Sequence, residues 1–412
     1  MELFGGVIPI TGITFFMFSL FAIIAVGFAF GRITIKGVSL GDAGVFIVAL
    51  LFGCLFYPYL ADQLPGYTTN ALKIVENLGL ILFVTSVGFI AGPKFFGNFK
   101  KNFTSYVALA LVVIVAGGLT AVGCIFFGQG VLGESTGGEF TAMIVGLLSG
   151  SLTSTPAFSS AKAAVAPEFE SAVSVGYGIA YIFGVIGVVL FVQIIPKITR
   201  ANMEAERAKL VGASSADAPE AKKEKKKLFE LDGHGFAAFA LAAVIGAMVG
   251  MIKIPLTADG LDGTCFSLTT TGGCLLMSLI FGHYAHIGPV DITPKDSTLK
   301  IFKELGLILF LAGAGIAGGA KFVELFKFSY FVYGMVMTIV PMVFGYFFSK
   351  YVLKLSLLNN LGSLTGAMTS TPALGTLIGV SKTDDVAAAY AATYPIALIA
   401  VVLVSQFLVI LF

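Results

Sequence analysis

Tryptophan is missing from the chain, histidine occurs three times and cysteine four times. Without tryptophan, any aromatic belt at a membrane surface has to be built from tyrosine and phenylalanine. Cys54, Cys124, Cys265 and Cys274 have no metal-type spacing and lie in or near apolar runs, so they read as buried free thiols. His283 and His286 read as solvated loop residues rather than a proton relay. Charge is scarce as well: 12% of residues, against 57% hydrophobic and a mean hydropathy of +0.96. A soluble fold of 412 residues cannot hide that much apolar surface, so part of its solvent is lipid.

The same scarcity speaks against an enzyme. A membrane-embedded catalyst needs a nucleophile–base pair or an acidic metal cluster. Asp384-Asp385 is the only close acidic pair near an apolar span, and with Lys382 beside it the pair reads as a solvated loop. No enzyme activity, cofactor or nucleic-acid partner is expected. The N-terminus also lacks the basic region of a secretory signal, so residues 12–31 read as a retained first span.

What is present is a series of long apolar runs, among them Gly12–Gly31, Ala43–Leu60, Tyr106–Phe127 and Phe331–Phe348. Each is about long enough to cross a hydrocarbon core of ~30 Å as a helix. The fold class is therefore an all-α polytopic membrane protein. One long polar stretch, residues 197–232 with "ASSADAPEAKKEKKK", has the composition of a flexible solvated linker. It separates a first membrane repeat, 1–196, from a second, 233–412.

The two halves resemble each other. "LGLILFVTSVGFIAGPKF" at Leu78–Phe95 matches "LGLILFLAGAGIAGGAKF" at Leu305–Phe322 with ten of eighteen positions identical, 227 residues apart. "GLLSGSLTSTPA" at Gly146–Ala157 matches "GSLTGAMTSTPA" at Gly362–Ala373, 216 residues apart. "ALLFG" at Ala49–Gly53 pairs with "SLIFG" at Ser278–Gly282, and "YGIAYIFG" from Tyr177 with "YAATYPIA" from Tyr390. Four matches in the same order indicate an internal repeat.

Each half offers six apolar elements. In the first they lie near 12–31, 43–61, 72–92, 104–128, 140–166 and 171–195; in the second, near 234–252, 269–288, 299–319, 328–350, 356–380 and 386–412. If the fifth element of each half is a re-entrant hairpin, Arg32, Lys36, Lys94, Lys100 and Lys101 become cytoplasmic together with the lysine-rich linker. Glu134, Glu139, Glu168 and Glu170 then face out. Five crossings per half is an odd count, so the halves are expected to have inverted topology with both chain ends outside. Lys321 and Lys327, which fall outside beside Glu324, fit this arrangement poorly.

The pentapeptide "TSTPA" recurs at Thr153–Ala157 and Thr369–Ala373, in the middle of the two expected hairpins. Non-helical backbone at membrane depth is tolerated only inside protein or against a water-filled cavity. Interrupted helices of inverted repeats that meet near the midplane form the binding sites of secondary transporters, and helix N-termini there can hold an anion. The expected substrate-binding residues are Thr153, Ser154, Thr155 and Pro156 with Thr369, Ser370, Thr371 and Pro372. Gly88, Gly92, Gly315 and Gly319 are candidates for lining the site, although their small-xxx-small spacing points first to close helix packing. Tyr177 and Tyr390, with Tyr181 and Tyr394, recur after each hairpin and suit either the site or the core. No carboxylate sits beside either TSTPA in sequence, which favours an anion site over a cation/proton antiporter, the alternative function.

The segments "GLILFVTSVGFIAGPKFF", "SGSLTSTPAFSSA" and "GAMTSTPAL…YAATYP" resemble the signatures of the aspartate–alanine exchanger family of bacterial secondary transporters, over both halves of the chain. The resemblance implies an elevator-type secondary transporter, exchanger or symporter, for small anionic or zwitterionic substrates such as aspartate, alanine, glutamate or C4-dicarboxylates. It also implies a homodimer in the bacterial cytoplasmic (inner) membrane. A coupling ion, Na+ or H+, is left open. Many members carry large regulatory domains in the central region, where this chain has only its short linker.

Overall fold

The computed structural model describes residues 2–3, 8–35, 38–39, 41, 43–95, 103–134, 137–214, 229–230, 232–255, 265–383 and 385–412. Lys36, Lys100, Lys101, Asp384 and the middle of the linker lie outside the described residues, as do the side chains of Lys94, Thr371 and Pro372. In chain order the described helices are α1 (Gly12–Gly31), α2 (Ala43–Gln63), α3 (Thr68–Phe95), α4 (Phe103–Val131), α5 (Gly138–Ser151), α6 (Thr155–Ala164), α7 (Glu170–Ile198) and α8 (Met203–Ser214). There follow α9 (Phe236–Gly250), α10 (Thr269–Tyr284), α11 (Asp296–Gly319), α12 (Phe322–Leu325), α13 (Phe328–Tyr351), α14 (Leu357–Ala367), α15 (Thr371–Ser381) and α16 (Val386–Leu411). Among the described residues, extended structure is confined to ribbons of two-residue strands, such as Ile254–Pro255 against Cys265–Phe266.

Eight of these helices, α1, α2, α3, α4, α7, α11, α13 and α16, are long and apolar enough to cross a membrane. The chain is a multi-pass membrane protein. Two expected spans come out short: α9 and α10 have 15 and 16 residues, about 22–24 Å at 1.5 Å per residue. His283 belongs to the last turn of α10 and not to a loop.

Both TSTPA segments turn the chain back on itself. A Cβ on Gly138, at the start of α5, would touch the ring of Phe169, five residues beyond the end of α6. Likewise Gly362 in α14 packs on the carbonyl of Val386, five residues beyond α15. An unreversed helix pair could not bring those positions together. The reversal occurs before the proline: Thr153 and Thr369 hold positive φ angles of 52° and 49°. Pro156 and Pro372 then sit in the first turn of α6 and α15, where a missing amide costs no hydrogen bond.

Positions matched in sequence make matching contacts. A Cβ on Gly79 would lie 2.6 Å from the Gly306 carbonyl oxygen, and one on Gly306 would lie 2.6 Å from that of Gly79. Gly88 and Gly92 of α3 press on Ser278 and Gly282 of α10; Gly315 and Gly319 of α11 press on Ala49 and Gly53 of α2. The order of contacts makes α3 antiparallel to α11, since Glu76 meets Gly313 while Phe83 meets Gly306. Helices α4 and α13 are antiparallel for the same reason: Gly128 meets Tyr333 and Gly345 meets Val113.

Among the described residues the apolar interior falls into three clusters. The largest is built around both hairpins with α4, α7, α13 and α16. A second joins α1 and α2 to α3 and α11, and a third joins α9 and α10 to Phe89 and Leu299. Outside them, side chains such as Ile13, Phe21, Leu55, Leu119 and Phe126 are exposed, the surface that lipid covers.

Polar contacts tie the ends of the molecule. Lys327 pairs with Glu134, and Lys73 with Glu170. Elsewhere the Leu357 amide donates to Glu206 of α8, and the Lys295 amide and Thr298 hydroxyl donate to the His234 carbonyl. The Glu134 partner raises the pKa of Lys327, chiefly through their hydrogen bond.

Candidate functional site

The two hairpin tips touch, and they do so reciprocally. Thr153 Oγ1 donates to the Met368 carbonyl at 3.0 Å, and Thr369 Oγ1 donates to the Leu152 carbonyl at 2.7 Å. Each donor is the residue with the left-handed backbone, and each acceptor is the residue just before its counterpart. Both turns are closed in the same way, by Ser154 N to Ser149 O and Ser370 N to Thr365 O. The N-termini of α6 and α15 therefore start at one shared point, where the partial positive charges of two helix ends meet.

Hydroxyls crowd this point. Thr153, Ser154 and Thr155 are all buried, as are Thr369 and Ser370. Ser154 Oγ caps α6 by accepting from the Ala157 amide, whereas its counterpart Ser370 Oγ is buried with no hydrogen-bond partner among the described residues. An orphaned buried hydroxyl at a helix start is a group that a ligand oxygen or water can satisfy. Thr155 Oγ1 lies 3.4 Å from the Tyr177 hydroxyl.

The sequence-derived candidates divide into two groups. The structure gathers Thr153–Pro156 and residues 369–372 at the tips, with Tyr177 one contact away. Tyr390 lies beside Gly366, three residues before Thr369. Gly88, Gly92, Gly315 and Gly319 are found in helix–helix contacts instead: added Cβ atoms there would lie 1.9–2.6 Å from neighbouring helices. Their nearest neighbours are residues of α10 and α2, not of the tips.

Two groups went unread in the sequence. Lys162 of α6 is buried and donates to both carboxylate oxygens of Glu76 in α3, at 2.6 and 2.9 Å. A carboxylate thus lies against the first hairpin after all, brought there from 86 positions upstream rather than from beside TSTPA. Lys162 itself, a lone cation inside an apolar element, was the available signal. The second group is a set of buried polar contacts: Ser159 with Thr271 at 2.8 Å, and the Gln406 side-chain amide donating to Ser160 at 2.9 Å. Phe158, on the same helix, stacks on Tyr177 with ring centroids 4.2 Å apart. The first hairpin is consequently sealed, with every residue from Thr155 to Lys162 buried.

The second hairpin is more open. Gly375 and Gly379 of α15 are exposed, with no atom within 4 Å of an added Cβ. A cavity of about 170 Å³ lies between α3, α11 and the start of α16, lined by Val87, Ile90, Lys303, Tyr390, Tyr394 and Pro395.

Comparison with known proteins agrees with this architecture. The family described as a predicted permease membrane region matches residues 19–197 and 238–410, both halves without the linker. An uncharacterized transporter of Bacteroides fragilis is 26% identical over 546 aligned positions, covering 94% of this chain and 97% of that protein. One from Desulfotalea psychrophila is 23% identical, covering 95% and 96%. Over 206 residues, 48% of this chain and 34% of the relative, identity to an uncharacterized transporter of Geobacter sulfurreducens reaches 37%. The longer alignments exceed the 412 residues here, so those relatives carry segments without a counterpart in this chain. With both membrane halves matched and the relatives named as transporters, the chain belongs to the aspartate–alanine exchanger family of permeases.

Proposed function

We propose that the protein is a secondary active transporter of small carboxylates or amino acids, such as aspartate, alanine, glutamate or C4-dicarboxylates. It works by alternating access, with substrate held where the two TSTPA tips meet. The observation that carries this reading is the reciprocal pair of bonds, Thr153 to Met368 and Thr369 to Leu152, joining two interrupted helices from different halves. Such junctions present helix N-termini and hydroxyls to an anion without a buried lysine at the junction.

Inverted topology is supported by the antiparallel course of α3 against α11 and of α4 against α13. It also accounts for Lys327: on the outer side, it neutralises Glu134 rather than opposing the charge rule. The separate α1–α2 and α9–α10 clusters suit a scaffold against which the hairpin core moves as an elevator. The sealed first hairpin and open second one suit a state accessible from one side only. A homodimer in the cytoplasmic membrane completes the proposal.

The test is counterflow. Purified protein in liposomes is expected to exchange labelled aspartate, glutamate, alanine or succinate saturably, and Thr155→Val and Thr369→Val are expected to weaken substrate binding. Non-saturating flux would point to a channel and contradict the carrier. Glu76 favours a second reading, a cation/proton antiporter. That reading requires Glu76→Gln to abolish Na+- or pH-driven exchange, whereas the carboxylate carrier keeps its counterflow.

A further inference from the structure

The contacts fix how the two halves correspond. Gly79 against Gly306 sets the third helices 227 residues apart, so Lys303 occupies the place of Glu76. Gly150 packs on Tyr177 as Gly366 packs on Tyr390, which equates those tyrosines. The tips are 216 residues apart, so Leu374 replaces Phe158 and Ile378 replaces Lys162.

The same region is built with opposite chemistry in the two halves. In the first, Glu76 is neutralised by Lys162, and Phe158 fills the space against Tyr177. In the second, the carboxylate has become Lys303 and its partner has become an isoleucine. The smaller Leu374 stands where the stacked ring was. Lys303 faces the cavity of about 170 Å³ between α3, α11 and α16, with Tyr390 and Tyr394 also in its wall. Lys303 is half-buried and makes no ion pair or hydrogen bond among the described residues. A partly desolvated ammonium beside apolar walls is stabilised by an anion. The volume lies below the ~300 Å³ at which drug-sized pockets begin, so the anion is small.

We propose that this cavity is an oxyanion subsite in which Lys303 holds a carboxylate of the transported solute, the ligand supplying the charge that Glu76 supplies in the other half. The proposal rests on the carrier reading for the identity of the ligand, but its geometry does not. A lipid headgroup phosphate offers the same chemistry from another source, and the test separates the two.

The full-length protein is placed in nanodiscs of zwitterionic phosphatidylcholine and its melting temperature is followed against succinate and, separately, inorganic phosphate. Succinate is expected to stabilise the wild type, and Lys303→Gln to need about tenfold more or worse, the loss of one charge-assisted bond. Ile378→Glu is expected to re-create the ion pair of the first half in reverse. It should abolish the succinate response while melting, without ligand, no lower than the wild type. Ile378→Gln is expected to respond as the wild type does. An unchanged response in both Lys303→Gln and Ile378→Glu overturns the subsite. So does a Lys303-dependent stabilisation that appears only when phosphatidylglycerol is added to the discs, which makes a lipid the occupant. Lys303-dependent binding without any counterflow would defeat the carrier reading alone, and normal counterflow affinity in Lys303→Gln would defeat the subsite alone.

Discussion

Thr153 and Thr369 are β-branched residues held at φ near +50°, a conformation that costs of order 1–3 kcal/mol. Their hydroxyls give threonine a role there: each satisfies a carbonyl of the opposing tip that is buried away from water. Thr153→Val retains the strain and orphans Met368 O, so it is expected to destabilise the protein by about 1–3 kcal/mol. Thr153→Gly loses the same bond but relieves the backbone, and is expected to lose less; thermal melts of the two variants compare them. Lys162→Met leaves Glu76 buried and unpaired, with an expected loss of about 3–5 kcal/mol. The double variant with Glu76→Met is expected to recover much of it, which a thermal double-mutant cycle measures. None of this pairing could be read along the chain. The TSTPA repeat pointed to the tips, but nothing near Lys162 names a partner 86 positions away, and nothing near Lys327 names Glu134.

At the scale of the element, the helices were legible because their apolar runs end where lipid ends, and the hairpins because a hydroxyl–proline break is too costly in an unbroken span. Helix lengths in the second half were less so: the apolar pattern of 234–252 and 269–288 continues past the residues that are helical. The glycines carried two readings, and only contacts separate them. Gly79→Leu should force α3 from α11, since even a Cβ would come within 2.4 Å of the Phe310 amide nitrogen; a loss of several degrees in melting temperature is expected, against little change for Gly123→Leu, where an added Cβ meets nothing within 4 Å. Just before α9, the Asp232 carboxylate accepts from the amides of His234, Gly235, Phe236 and Ala237. Those bonds, that from Ala237 first, hold its pKa down to about 2 from 3.8. Because the folded value is the lower one, the stabilisation is present above about pH 4 and is lost as pH falls toward about 2. The gap in melting temperature between wild type and Asp232→Asn is expected to be constant near neutrality and to close across that window.

At the scale of the whole molecule, two hairpins meet tip to tip, and the carrier proposed above requires them to enter from opposite faces. Sequence identity between the halves made the duplication visible, and charge placement suggested the inversion, but which helices of one half pack on which of the other was not legible. The third helix of each half leans on the second helix of the other, an exchange that no periodicity encodes. The most direct measurement is sided labelling of single cysteines, in a background lacking Cys54, Cys124, Cys265 and Cys274, at Glu168 beside the first hairpin and Lys382 beside the second. A membrane-impermeant maleimide applied to intact cells is expected to label Glu168→Cys at once and Lys382→Cys only after permeabilisation. Labelling of both positions from one side would contradict the opposed hairpins and the carrier built on them.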